Sequence, residues 1–157
     1  WTVAKALLNH ERSMIASAFG AGGKRRTMAD WAREYVDCDG DRIADAALRQ
    51  RIVQFEMDAL AFRLTADRTR DTAKAGRPPG AESSMFKIYG TELNQQRQEL
   101  LLSIAGPQSL GWEGEGFTQR ELTLTRDWLR SRGNTIEGGT SEVQLNIIAK
   151  RVLGLPD

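Results

Sequence analysis

Cysteine and histidine each occur once in this sequence of 157 residues, as Cys38 and His10, and that scarcity removes several chemistries. A single thiol, set in the polar stretch DCDGD, forms no internal disulfide and supplies no metal-ligand cluster. A reducing, cytoplasmic setting fits such a chain. Charge of one sign is missing too: 22 basic against 21 acidic side chains leave a formal net charge of +1. No bulk field therefore points to nucleic acid or to an anionic membrane as a partner. No apolar run approaches the ~18 residues that suggest a membrane span, and no basic-then-apolar leader opens the chain. No internal repeat, low-complexity segment or convincing strand appears. What remains, 40% hydrophobic and 27% charged residues, is the composition of a globular domain long enough to bury a core. Trp1 in place of an initiating methionine implies a segment of a longer protein, with a domain boundary just upstream.

Helical periodicity fills the chain. From Thr2 to about Gly20, Val3, Leu7, Leu8, Met14, Ile15, Ala18 and Phe19 recur at spacings of three and four. Glu11 falls on the same face, one turn after Leu7 and one turn before Ile15. A carboxylate inside an apolar stripe needs a cause: an ion pair with an arginine of a neighbouring helix, or a site. His10 points elsewhere and reads as surface or capping. The link GAGGKRR (20–26) lacks the preceding strand and the spacing of a phosphate-binding loop. Thr27 then caps a short helix to Tyr35 with Met28, Trp31, Ala32 and Tyr35 on one side. The cluster Asp37 to Asp41 lacks the later glutamate of a calcium loop and reads as a turn.

A long helix is predicted from about Arg42 to Ala75, with the seam Leu48, Ile52, Phe55, Ala59, Phe62 and Ala66, stopped by Gly76, Pro78, Pro79 and Gly80. The next, about Ala81 to Ala105, carries Met85, Tyr89, Leu93, Leu100 and Ile104 on one face. Gly106 to Gly116 is irregular, with Trp112 read as an anchor for the loop. Phe117 to Ser131 is helical, led by Phe117, Leu124 and Trp128. The expected fold class is all-α: an up-and-down four-helix bundle with an additional short helix and a capped C-terminal helix.

That last helix closes the most informative stretch, NTIEGGTSEVQLNIIAKRVLG (134–154). Ser141 and Gln144 form a capping box, Val143, Ile147, Ile148, Val152 and Leu153 make one apolar face, and Lys150, Arg151, Gly154 and Pro156 mark its end. Before it, Gly138 and Gly139 remove side-chain bulk and permit backbone angles that other residues avoid.

The GGTSE turn, followed in register by an amphipathic helix ending KRVLGLP, resembles the C-terminal signature of the acyl-CoA dehydrogenase family. The opening LLNHERSMIA resembles the family's first C-terminal-domain helix, and LRQRIVQFEMDALAFR and GRPPGAESSMFKIYGTELNQQRQELLLSIAGP are similar to the central helices of bacterial members. The resemblance implies that residues 1–157 are the third domain of an enzyme whose N-terminal helical and middle β domains precede them. It implies FAD as cofactor and α,β-dehydrogenation of an acyl-CoA thioester, with α-proton abstraction by a carboxylate and hydride transfer to the flavin. An electron-transfer flavoprotein or other acceptor would follow, and the parent would be a homo-oligomer, a dimer or tetramer.

By the family's positions, Gly139, Thr140, Ser141 and Glu142 lie along the flavin, and Arg12 and Gly138 lie on the acyl-CoA side. The family's catalytic glutamate comes either from the residue two before Thr140-Ser141, here Gly138, or from the first helix, here Glu11. The resemblance thus implies Glu11 as base, with Glu137 as runner-up. Two stretches depart from many relatives: GAGGKRRTMADWAR after the first helix, and SIAGPQSLG where a glutamine and paired glycines are usual. Both concern the half of a flavin site that a neighbouring subunit completes. A non-catalytic or half-site partner subunit, or a plain helical oligomerisation domain, are therefore the alternatives.

Overall fold

The computed structural model describes residues 26–77, 80–81 and 83–156, together with Val3 and Leu7. Among the described residues the chain is all-α apart from one minimal ribbon. Helix α1 spans Met28–Tyr35, α2 Ala46–Lys74, α3 Ser83–Ala105, α4 Gln119–Arg132 and α5 Ser141–Ile147. Strands β1 (Cys38–Asp39) and β2 (Arg42–Ile43) pair antiparallel, Cys38 opposite Ile43. The ribbon corrects two expectations, a strand-free chain and a long helix beginning at Arg42. Gly40, at φ +57, turns the chain back, and Asp45 rather than an earlier residue caps α2, its Oδ1 accepting from the N–H groups of Ala47 (2.8 Å) and Leu48 (3.0 Å).

The expected first helix lies almost wholly outside the described residues. Val3 and Leu7 are helical but exposed, where the periodicity predicts burial. The chain divides into two compact units, and both α2 and α3 contribute to each.

One unit comprises Gly22–Ala59 and Leu93–Arg132. Its core gathers Met28, Trp31 and Ala32 of α1, Ile43 of β2, Leu48 and Ile52 of α2, Leu100, Leu101, Ile104 and Ala105 of α3, and Leu124 of α4. The Thr27 cap forms as predicted and is a full capping box with Asp30. A second box opens α4: Glu121 accepts from the N–H (2.6 Å) and hydroxyl (2.8 Å) of Thr118 and returns its own N–H to Thr118 Oγ1. The Tyr35 hydroxyl donates to Glu121 at 3.1 Å, tying α1 to α4. Trp31 stacks on Tyr35 and lies under the guanidinium groups of Arg26 and Arg120, which both pair with Glu34. Trp112 is 51% exposed, so it does not anchor its loop by burial. Arg126 holds it instead, with the guanidinium 4.8 Å from the ring centroid and Nη2 donating to the Trp112 carbonyl at 2.6 Å.

The other unit holds Leu60–Glu92 and Gly133–Asp157, with the amino-terminal stretch. Phe62 meets Phe86 edge-on at 5.8 Å and stacks on Tyr89 at 5.9 Å. The expected α2 seam is correct at both ends, with Leu48, Ile52, Phe62 and Ala66 buried. The face expected for α3 holds at Leu93, Leu100 and Ile104, which are buried, but not in the first half: Met85 and Tyr89 are exposed, and Phe86, Lys87, Gly90 and Thr91 take the inward side there. Polar residues on that side hid it from a hydrophobic pattern.

Candidate functional site

The stretch from Gly133 to Ser141 is built by glycine. After the single 3-10 turn Gly133–Thr135, Gly138 and Gly139 take φ +65 and +97, the left-handed region in which a side chain is strained. These angles deliver Thr140 in extended conformation as the N-cap of α5, its Oγ1 accepting from the Val143 N–H at 3.3 Å. The cap is therefore Thr140, one residue earlier than expected. Freed from the predicted capping box, the Gln144 side chain turns back and donates Nε2 to the Gly138 carbonyl at 2.9 Å.

The turn is held from the protein interior. Lys87, wholly buried on α3, donates Nζ to the Thr135 carbonyl at 3.1 Å. Ser141 Oγ reaches the same carbonyl at 3.5 Å. Gln144 is also wholly buried, and its Oε1 has no partner. Burial pushes the Lys87 ammonium below its ordinary pKa, while the carboxylates of Glu142, Glu137 and Glu92 act in the opposite direction. The Glu142 carboxyl is held below the usual range by its own backbone N–H, then by the Thr140 hydroxyl and the Lys87 charge, against some desolvation.

Glu137, the runner-up base, is half-buried and accepts from Asn134 Nδ2 at 2.6 Å. Gly138 is buried, whereas Gly139, Thr140 and Ser141 are half-buried and Glu142 is exposed. The six predicted residues from Glu137 to Glu142 thus form one continuous turn and helix start. Glu11 and Arg12, like His10, lie outside the described residues. Lys87 carries no signal of its own in the sequence, because a lysine at that register looks like a solvated helix position. A signal was available in its neighbours, since Phe86 and Tyr89 flank it and Gly90 and Thr91 are small.

Beyond the turn, the helix ends as Gly154 (φ +66) allows, with Leu155 N–H reaching the Ala149 carbonyl at 2.9 Å after the π turn Ile148–Val152. Its expected apolar face is only partly covered: Ile147 and Ile148 are half-buried, but Val143, Val152 and Leu153 are 47 to 64% exposed. Among the described residues no cluster of three metal-ligating side chains occurs, and no helix is long and apolar enough to cross a membrane.

A family model, acyl-CoA dehydrogenase C-terminal domain, matches residues 1–153. The chain belongs to the acyl-CoA dehydrogenase family. It is similar to the acyl-CoA dehydrogenase FadE34 of Mycobacterium tuberculosis, 30% identical over 99% of this chain and 20% of that protein. IpdE1 of Mycolicibacterium smegmatis is 29% identical over 99% of the chain and 37% of its own length, and FadE26 of M. tuberculosis 28% over 99% and 40%. The chain therefore spans between a fifth and two fifths of the length of those relatives. Two solved structures share its fold over its whole length. One is a variant of the Tcur3481-Tcur3483 steroid ACAD, with TM-score 0.77, 24% identity and 40% of that chain covered. The other is the ChsE4-ChsE5 complex from M. tuberculosis, with TM-score 0.71, 25% identity and 41% covered.

Proposed function

We propose that this chain is the C-terminal part of an FAD-dependent acyl-CoA dehydrogenase that introduces an α,β double bond into an acyl-CoA thioester. The observation that carries the reading is the Gly138–Glu142 turn, which lies within a family match over residues 1–153. The turn suits one edge of a flat ring system. Its glycines bring no side chains, and Gly139, Thr140 and Ser141 keep partly open surface. The Thr140 hydroxyl is committed to Val143 and Glu142, so what Thr140 offers a ring is its methyl group and backbone rather than a free donor.

FAD, when bound, supplies the acceptor for the β-hydride. Glu11 removes the α-proton, and Arg12 beside it in sequence contacts the acyl-CoA. Gly138, lacking a side chain, leaves room for the base or for a branched acyl group. A positioned base of this kind is worth about 10²–10⁴-fold in rate. Replacing Glu11 with Gln in the full-length enzyme is expected to keep FAD and acyl-CoA bound while cutting flavin reduction by that factor. Near-parental reduction by Glu11→Gln, with loss in Glu137→Gln, would assign the base to the terminal turn instead.

A second reading, a half-site partner in a heteromeric enzyme, has its own support. The similar ChsE4-ChsE5 structure is a complex of two proteins, and SIAGPQSLG replaces the usual glutamine and glycine pair. Here it folds into the 3-10 turn Gly106–Leu110. Association of either kind has a candidate surface on α2, where Val53, Met57, Leu60 and Leu64 follow at spacings of four, three and four and remain 44 to 60% exposed. The flavin-to-chain ratio of the purified full-length protein, together with light scattering, separates the readings. One flavin per chain in a dimer or tetramer supports the homomeric enzyme, and flavin binding only after mixing with a second chain supports the half-site.

A further inference from the structure

We propose that Lys87 is a positioning residue, whose buried ammonium fixes the shape of the glycine turn that forms the site. The inference rests on the reading of that turn as part of the flavin site for its catalytic meaning, but not for its physical basis. Lysine is among the residues least often fully buried, and an ammonium removed from water is costly unless it is compensated. A leucine or methionine would fill the same space on α3 without that cost.

The compensation Lys87 receives comes largely from the turn. Its hydrogen bond among the described residues goes to the Thr135 carbonyl, 48 positions along the chain. Two of the three carboxylates that favour its charge, Glu137 and Glu142, belong to the turn and the helix start, and the third is Glu92 of its own helix. At the other end Gln144 holds the Gly138 carbonyl. A segment with two adjacent left-handed glycines is intrinsically soft, and here it is clamped at Thr135 and at Gly138 by two side chains with no exposed surface. Supporting shells of this kind hold a site's groups within the tolerance that chemistry needs.

The test uses the full-length protein with Lys87→Met, which removes donor and charge, and Lys87→Gln, which keeps a donor. Hydrogen exchange of amides 136–143 is read against that of 93–132, alongside kcat and KM for an acyl-CoA and the visible flavin spectrum. In Lys87→Met the turn amides are expected to exchange about ten- to hundredfold faster, the range for losing a hydrogen bond to a charged group, with 93–132 unchanged. Lys87→Gln is expected to fall between. Misplacement of site groups lowers kcat by about tenfold or more, while KM moves less than about threefold. Unchanged exchange in the turn, equal acceleration in both regions, or failure of both variants to fold would overturn the proposal. A parent protein without flavin would instead defeat the flavin reading, and the exchange measurement would still decide the role of Lys87.

Discussion

Gly138→Ala isolates how tightly the turn is built, because the same chain contains a matched control. Gly138 sits at φ +65 and is buried, and Gly154 sits at φ +66 in the open, where an added Cβ meets nothing within 4 Å. An alanine forced into the left-handed region costs roughly 1–2 kcal/mol at either position. Gly138 is buried where Gly154 is open, so a new methyl there is expected to add an overpacking cost of about 1–3 kcal/mol. Gly154→Ala is therefore expected to lower stability by roughly 1–2 kcal/mol and Gly138→Ala by about 2–5 kcal/mol. Urea denaturation of the 157-residue chain, followed by far-ultraviolet circular dichroism, measures both against the parent. Equal losses would show that Gly138 has room for a side chain and refute the packing part of the reasoning. No loss at either position would refute the backbone part as well.

The 157-residue chain alone is expected to show a helical circular dichroism spectrum yet to bind FAD weakly, since it spans only part of its relatives; tight stoichiometric binding in a flavin titration would contradict this. Ile104→Ala, at a position 2% exposed, should cost about 2–5 kcal/mol in the same denaturation assay. Gln144→Leu should change stability by no more than about 1 kcal/mol, because it removes one hydrogen bond and one unpartnered acceptor together, whereas Gln144→Glu, which buries a charge, should be markedly worse. The Glu121 carboxyl is held below its ordinary pKa by the Thr118 N–H and hydroxyl and then by Tyr35, so its stabilisation is present above its unfolded pKa and lost as pH falls through the lower folded value. Glu121→Gln should accordingly flatten the fall in stability between pH 6 and acid, and an unchanged slope would count against that linkage.

The helices were legible where apolar spacing and end signals agreed. Thr27 to Tyr35 was read to the residue, and the buried ends of the α2 seam followed from a four-three repeat. Misreadings arose where polar side chains do interior work. Arg42 and Ile43 look helical in the sequence because a two-residue strand is too short to show alternation. On α3 the inward face contains Lys87 and Thr91, so the pattern selected Met85 and Tyr89 instead. The glycine turn is visible in the sequence, yet the Ser141–Gln144 spacing points to a cap at Ser141 rather than Thr140. Capping rules alone do not distinguish adjacent hydroxyl residues when the chain arrives through positive φ.

The same interior contacts bear on which carboxylate acts as base. A base for a carbon-bound proton works best with a free oxygen aimed at substrate, in surroundings that raise its proton affinity. One oxygen of Glu137 accepts a 2.6 Å hydrogen bond from Asn134, and the carboxylate supports the charge of the Lys87 ammonium. Glu137 is better placed to balance Lys87 and hold the turn than to leave it. Gly138, the other position from which the family draws its glutamate, carries no side chain at all, and its left-handed backbone is spent on shaping the turn. Both positions in the terminal segment thus have structural roles, and the proposal that Glu11 is the base rests on the paired test of Glu11→Gln against Glu137→Gln.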